Sequence, residues 1–118
     1  MRNDQPNLIV QLTFDFSIKI ISFLEELESV KKKVIPLQLL KSGTGIGANV
    51  REAQNAESKR DFIHKFKIAA KEADETMYWL EICEKSPNYP FHPELVSDLM
   101  SITKVISKII GSSKKSPN

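Results

Sequence analysis

The chain has 118 residues, 41% hydrophobic and 27% charged, which is the balance of one globular domain and excludes a disordered tail or a membrane-embedded chain. Such a length buries roughly two thirds of the unfolded surface, enough for a core without disulfides or metal. Its 17 basic and 15 acidic residues leave a formal charge of +2, which argues against a protein that coats DNA by bulk charge, and the single cysteine, Cys83, excludes an intramolecular disulfide framework and fits a reducing compartment.

Met1 to Pro6 carries no apolar core of a signal peptide, because the Leu8-Ile9-Val10 run that follows is cut by Gln11. No segment approaches the ~20 apolar residues of a membrane span. The expectation is a cytoplasmic protein without a membrane partner. The prolines at 6, 36, 87, 90, 93 and 117 leave long segments free of breakers, and strand-like alternation is scarce. The class is all-α.

A first helix is predicted over about residues 7 to 29, with Asn7 as N-cap and Ile9, Leu12, Phe16, Ile20, Phe23, Leu24 and Leu27 at helical steps. A second stripe, Phe14, Ile18 and Ile21, widens its apolar surface, so this helix needs more than one neighbour, within the domain or in a second subunit. Lys31-Lys32-Lys33 closes it as a solvated basic turn.

Pro36 suits the first turn of a second helix, predicted to run to about residue 57. Leu40, Gly43, Gly47 and Val50 read as its core stripe, Leu39, Ser42, Ile46, Asn49, Ala53 and Ala56 as an adjoining one, and Gln38, Lys41, Gly45, Ala48 and Glu52 as the outward face. The glycine-rich string from Lys41 to Ala48 could be taken for a phosphate-binding loop. It lacks the preceding strand, and no Lys-Ser/Thr follows its last glycine. Glycines at 43 and 47 that admit a neighbouring helix fit better, although three mid-helix glycines cost roughly 3 kcal/mol relative to alanines.

Ser58-Lys59-Arg60-Asp61 resembles a capping box with Asp in place of Glu, which predicts a third helix over about residues 59 to 85 with Phe62, Phe66, Ala69, Ala73, Met77 and Leu80 inward. After a stiff connection with three prolines, Pro93 opens a fourth helix to about residue 110, with Leu95, Leu99, Ile102, Ile106 and Ile109 inward and Gly111 as C-terminal cap. Residues 112–118 are expected to be a disordered basic tail. Four helices with short connections predict an antiparallel up-and-down bundle, one domain over residues 1–111.

Three constellations bear on chemistry. Glu72 and Glu75 share a stripe with Ile68, Trp79 and Ile82, at the edge of an apolar surface. A bundle metal centre wants Glu-x-x-His pairs, and neither His64 nor His92 stands three residues after a glutamate. The expectation is no metal and no cofactor, with these glutamates bonded to Ser42 or Asn49, or to a cation of another subunit. Cys83 has no histidine at helical spacing and reads as a buried thiol. The third constellation is basic: Arg60, His64, Lys67 and Lys71 share one face of the third helix, with Lys65 alongside. Lys104, Lys108, Lys114 and Lys115 follow on the fourth helix and tail, where residues 99 to 118 hold no acid. Such a layout could follow a phosphate backbone without base specificity, but the residues by themselves favour a solvated face with ordinary i,i+4 ion pairs, Asp61 with Lys65 and Lys71 with Glu75.

Gln38, Lys41-Ser42, Gly47-Ala48-Asn49-Val50, Glu52-Ala53, Ser58, Phe62, Lys65, Ala69, Glu72-Ala73, Glu75-Thr76 and Tyr78-Trp79-Leu80 together resemble the bacterial family of 23S rRNA intervening-sequence proteins. The accessory variability determinant of diversity-generating retroelements is similar. The resemblance implies a short bundle assembling into a homopentameric ring, without catalytic activity. It also implies association with nucleic acid, RNA or DNA, or with a reverse transcriptase, through a positive surface.

The expected function is a non-enzymatic oligomeric scaffold with Arg60, Lys65, Lys67, Lys71, Lys104 and Lys108 facing nucleic acid. Ser42, Gly43, Gly47, Asn49, Glu72, Glu75 and Trp79 would form the helix-packing and polar core. The alternatives are a protein-interaction module without nucleic-acid contact and, remotely, a carboxylate or metal-dependent bundle enzyme. Residues 1 to 57 carry seven basic and seven acidic groups and residues 58 to 118 ten and eight, so the excess lies in the second half.

Overall fold

A computed structural model describes residues 7–116. They form four helices, α1 (Leu8–Ser29), α2 (Pro36–Ala53), α3 (Lys59–Lys85) and α4 (Pro93–Lys115), with no strand among the described residues. Each helix packs on its neighbours in sequence, α4 closes the square against α1, and the diagonal pairs do not meet. Bonds between elements give the directions. Asn7 reaches Gln54, Glu52 reaches Lys65, Lys59 reaches Ser116, and Lys19 and Glu26 of α1 reach Asp98 and His92 at the start of α4. Every adjacent pair is therefore antiparallel, in a rod 51 Å long and 20 Å wide.

The core follows the expected stripes on α1, α3 and α4. Phe16, Ile20, Leu27, Phe66, Leu80, Leu99, Ile102 and Ile106 are fully buried, each contributing about 1.5 to 3 kcal/mol by leaving water. On α2 the expected stripe is rotated. Leu39, Ser42, Gly43, Ile46, Val50 and Ala53 are buried, whereas Leu40 is 40% exposed. The reason is that α2 touches α1 with one flank and α3 with the other, so its inward direction bisects the two stripes read from sequence. Gly45, expected outward, sits against α3, where an added Cβ would lie 3.1 Å from the Glu72 carboxyl carbon.

Two helix ends differ from expectation. The α-helical part of α2 stops at Ala53, not near residue 57, because the N–H groups of Gln54, Asn55 and Ala56 turn to carbonyls three residues back at 3.0 to 3.1 Å. That tightening prepares the reversal into α3. Ser58 then stands extended, its hydroxyl accepts from the Asp61 N–H at 3.0 Å, and Asp61 accepts from the Glu57 N–H at 3.2 Å. This is the expected box, displaced by one residue on its return bond.

At the other terminus, Gly111 is no cap. No glycine of the described residues has a positive φ, and α4 runs through Gly111 to Lys115. Residues 112–115, expected as tail, are helix, with Lys114 and Lys115 in the last turn where cations oppose the exposed carbonyls. Residues 117 and 118 of that expected tail, like residues 1–6, lie outside the described residues. Asn7 occupies the N-cap position of α1 without capping it, and its side chain donates to Gln54 at 2.7 Å instead. The C-terminus of α1 closes on Lys31 in the left-handed region (φ 63°), with Lys31 and Lys32 N–H groups bonded to Glu28 and Leu27 carbonyls. That is a Schellman closure on a lysine.

Candidate nucleic-acid interface

The polar residues between the helices serve packing. Gly47 lies over α1 where an added Cβ would stand 3.3 Å from the Thr13 carbonyl oxygen, and at Gly43 it would stand 3.0 Å from Ile20. Thr13 itself is buried, its hydroxyl bonded to the Ile9 carbonyl at 2.8 Å. Between α2 and α3, the hydroxyls of Ser42 and Thr76 meet at 2.9 Å, both fully buried, and Thr76 also donates to the Glu72 carbonyl at 2.7 Å. The expected partners of Ser42 and Asn49 were Glu72 and Glu75. Thr76 takes Ser42, and Asn49 turns back to the Gly45 carbonyl of its own helix at 2.8 Å. Thr76 is shorter than a glutamate and sits one turn along the same helix, so it reaches the interior without burying a charge.

The two glutamates stay at the rim. Burial pushes the half-buried Glu72 carboxyl above its ordinary value, with the neighbouring Glu75 adding to the shift and Lys41 and Lys71 opposing it. Glu75 is exposed and accepts a long 3.4 Å bond from the Trp79 indole, which meets Tyr78 edge-on. Among the described residues no three His, Cys, Asp or Glu side chains gather as metal ligands. The Cys83 thiol is buried and its pKa is pushed up by burial to about 11, which holds it as a protonated, unreactive thiol.

The basic residues separate into three groups. Lys65 is half-buried and bonded to Glu52 at 2.9 Å, and this hydrogen bond raises its pKa. It ties α3 to α2 and its charge is already matched. Lys71 on α3 and Lys104 and Lys108 on α4 are exposed and form no ion pair among the described residues. Arg60, His64 and Lys67 line a groove whose opposite wall is the last turn of α4, with Ser112, Ser113 and Lys114. Lys59 crosses it to donate to the Ser116 carbonyl. The sequence places Arg60, His64 and Lys67 on one face but misses the role of Lys59 and of the two serines, which it assigns to a tail. The absence of acid after residue 98 is the signal that could have pointed there.

A second group of exposed side chains is apolar. Phe14, Ile18 and Ile21 of α1 are 43 to 54% exposed, and Leu40 of α2 is also exposed. Arg51 lies over the Phe14 ring at 5.7 Å. No helix among the described residues is long and apolar enough to cross a membrane.

Residues 5–112 match the family described as 23S rRNA-intervening sequence protein. Among solved structures, the chain is similar to a protein of unknown function from the S23 ribosomal protein family of Bacteroides thetaiotaomicron VPI-5482. The two are 39% identical with a TM-score of 0.80, over 86% of this chain and 97% of that one. No curated protein matches. With nearly its whole length matched by that family and a fold shared with a solved relative that is 39% identical, the chain belongs to the 23S rRNA-intervening sequence protein family.

Proposed function

We propose that the protein is a non-enzymatic oligomeric scaffold that binds nucleic acid, RNA or DNA, through the basic surface of α3 and α4, alone or together with a nucleic-acid enzyme such as a reverse transcriptase. The observation that carries this reading is a group of cations on α3 and α4, Arg60, Lys67, Lys71, Lys104, Lys108 and Lys114, that form no ion pair among the described residues. Cations left unmatched on two adjoining helices are available to replace the counterions of a polyanion. Lys65, spent on Glu52, supports the interface from behind.

The scaffold is a ring of five copies. Supporting it are Phe14, Ile18, Ile21 and Leu40, apolar side chains on adjacent helices that a second copy would remove from water. Five copies at +2 each carry about +10 on one particle, a field that a monomer does not produce. Sedimentation should give one species of about five chains, and a stable monomer at micromolar concentration would refute the ring. Filter binding to structured RNA should weaken steeply with salt, and Lys67→Glu with Lys71→Glu should reduce it by tenfold or more. Unchanged binding in that variant, or none at low salt, refutes the nucleic-acid role.

A further inference from the structure

The groove at the α3–α4 end differs in shape and lining from the rest of the basic surface. Arg60, His64 and Lys67 enter from the first three turns of α3 and Lys114 from the last turn of α4, with no carboxylate among the lining residues. Ser112 and Ser113 line the same wall as Lys114, and Phe62, packed against Phe66, gives the groove an apolar side. The groove is open to solvent, and its volume of about 1140 Å³ leaves room for a nucleotide, far more than one ion fills. A smaller groove at the opposite end of the rod makes the contrast. Glu26 and Glu94 line it beside Lys19, so it repels an anion.

A convex row of lysines suits internal phosphodiesters, which carry one charge each and pass along a surface. A terminal phosphomonoester is different. It carries close to two negative charges near neutral pH and three strong acceptor oxygens, and its free end can enter a concave site. Cations converging from two helices, with serines beside the one on α4, match that group. The Arg60 guanidinium offers paired N–H donors in one plane, which fit two phosphate oxygens at once.

Resting on the nucleic-acid reading above, we propose that this groove holds the phosphomonoester of a nucleotide, at the 5′ end of a strand or free. Arg60, Lys67 and Lys114 carry the charge recognition, and Phe62 offers apolar surface to the attached nucleoside. Lys59, bonded to the Ser116 carbonyl, holds the two walls together.

The test uses the full chain and fluorescence anisotropy with one short single-stranded RNA, labelled at its 3′ end and carrying either a 5′-phosphate or a 5′-hydroxyl. Adenosine 5′-monophosphate is the competitor. The phosphorylated strand should bind about tenfold more tightly. Arg60→Gln with Lys67→Gln should weaken both strands and abolish the difference between them, with circular dichroism confirming that the helices persist. Efficient displacement by the mononucleotide identifies the free nucleotide as sufficient; poor displacement beside a clear 5′-phosphate preference identifies the strand end. Equal binding of the two strands, with no effect of the mononucleotide, overturns the groove assignment and leaves the nucleic-acid role standing. A preference that survives in the double variant overturns it as well. If no RNA binds while the mononucleotide does, and the double variant loses it, the nucleic-acid role falls and the groove stands.

Discussion

The seam between α1 and α2 and the open end between α3 and α4 use the same small residues to opposite purposes. In the seam, Gly43 and Gly47 bring two backbones so close that a methyl group would press on Ile20 and on the Thr13 carbonyl. At the open end, Gly111 has nothing within 4 Å of where its Cβ would be, and the last turn of α4 stands across a groove from α3. A helical glycine costs about 1 kcal/mol relative to alanine in both places. In the seam the close approach offsets that cost; at the open end no contact does.

Substitutions at these glycines should therefore differ in sign. Gly47→Val drives carbon atoms into a backbone carbonyl that cannot swing aside, and should lower unfolding stability by about 2 to 3 kcal/mol in urea titration. Gly111→Ala places its methyl in open space and should raise stability by up to about 1 kcal/mol. A loss of stability at position 111 would mean that α4 needs flexibility there to form the groove wall. A smaller gain should follow where a glycine is missing. Lys31 holds a left-handed conformation in the α1–α2 turn, so Lys31→Gly should add about 0.5 kcal/mol, read as a rise in melting temperature.

The smallest effect concerns Glu72, which lies against Gly45 on the other flank of α2. Its carboxyl is raised in the folded state, chiefly by burial. An acid raised on folding favours the native state in its protonated form. Its stabilising contribution is complete below the ordinary carboxylate value and is lost as pH rises through the raised one. Glu72→Gln should flatten that decline as pH rises above the ordinary carboxylate range, measured by denaturant titration at each pH. An unchanged slope would show that Glu72 relaxes into solvent.

Much of this was legible in the sequence because helical periodicity and caps act locally. Phe16, Ile20, Leu27, Leu99, Ile102 and Ile106 declare their burial by spacing alone, and Ser58 with Asp61 marks the start of α3. Less legible were positions where two neighbours compete for one helix. Leu40 and Gly45 changed sides because α2 is wedged between α1 and α3, and a stripe read along one helix does not contain the direction of a second partner. Gly111 misled for a related reason. A glycine near a helix end matches the cap signature, but a cap requires a positive φ, and α4 reaches its end four residues later.

The sequence by itself determined an all-helical chain, the four helices and their order, and the basic character of the second half. These depend on interactions within a few residues, or on composition. The tertiary structure decided which cations stay free. Lys65 is drawn to Glu52 thirteen residues away, whereas Arg60 and Lys67 face Lys114 across a groove. Residues more than forty positions apart in the chain meet there only because α3 and α4 run antiparallel and α4 continues past its glycine, and no local pattern specifies such an encounter.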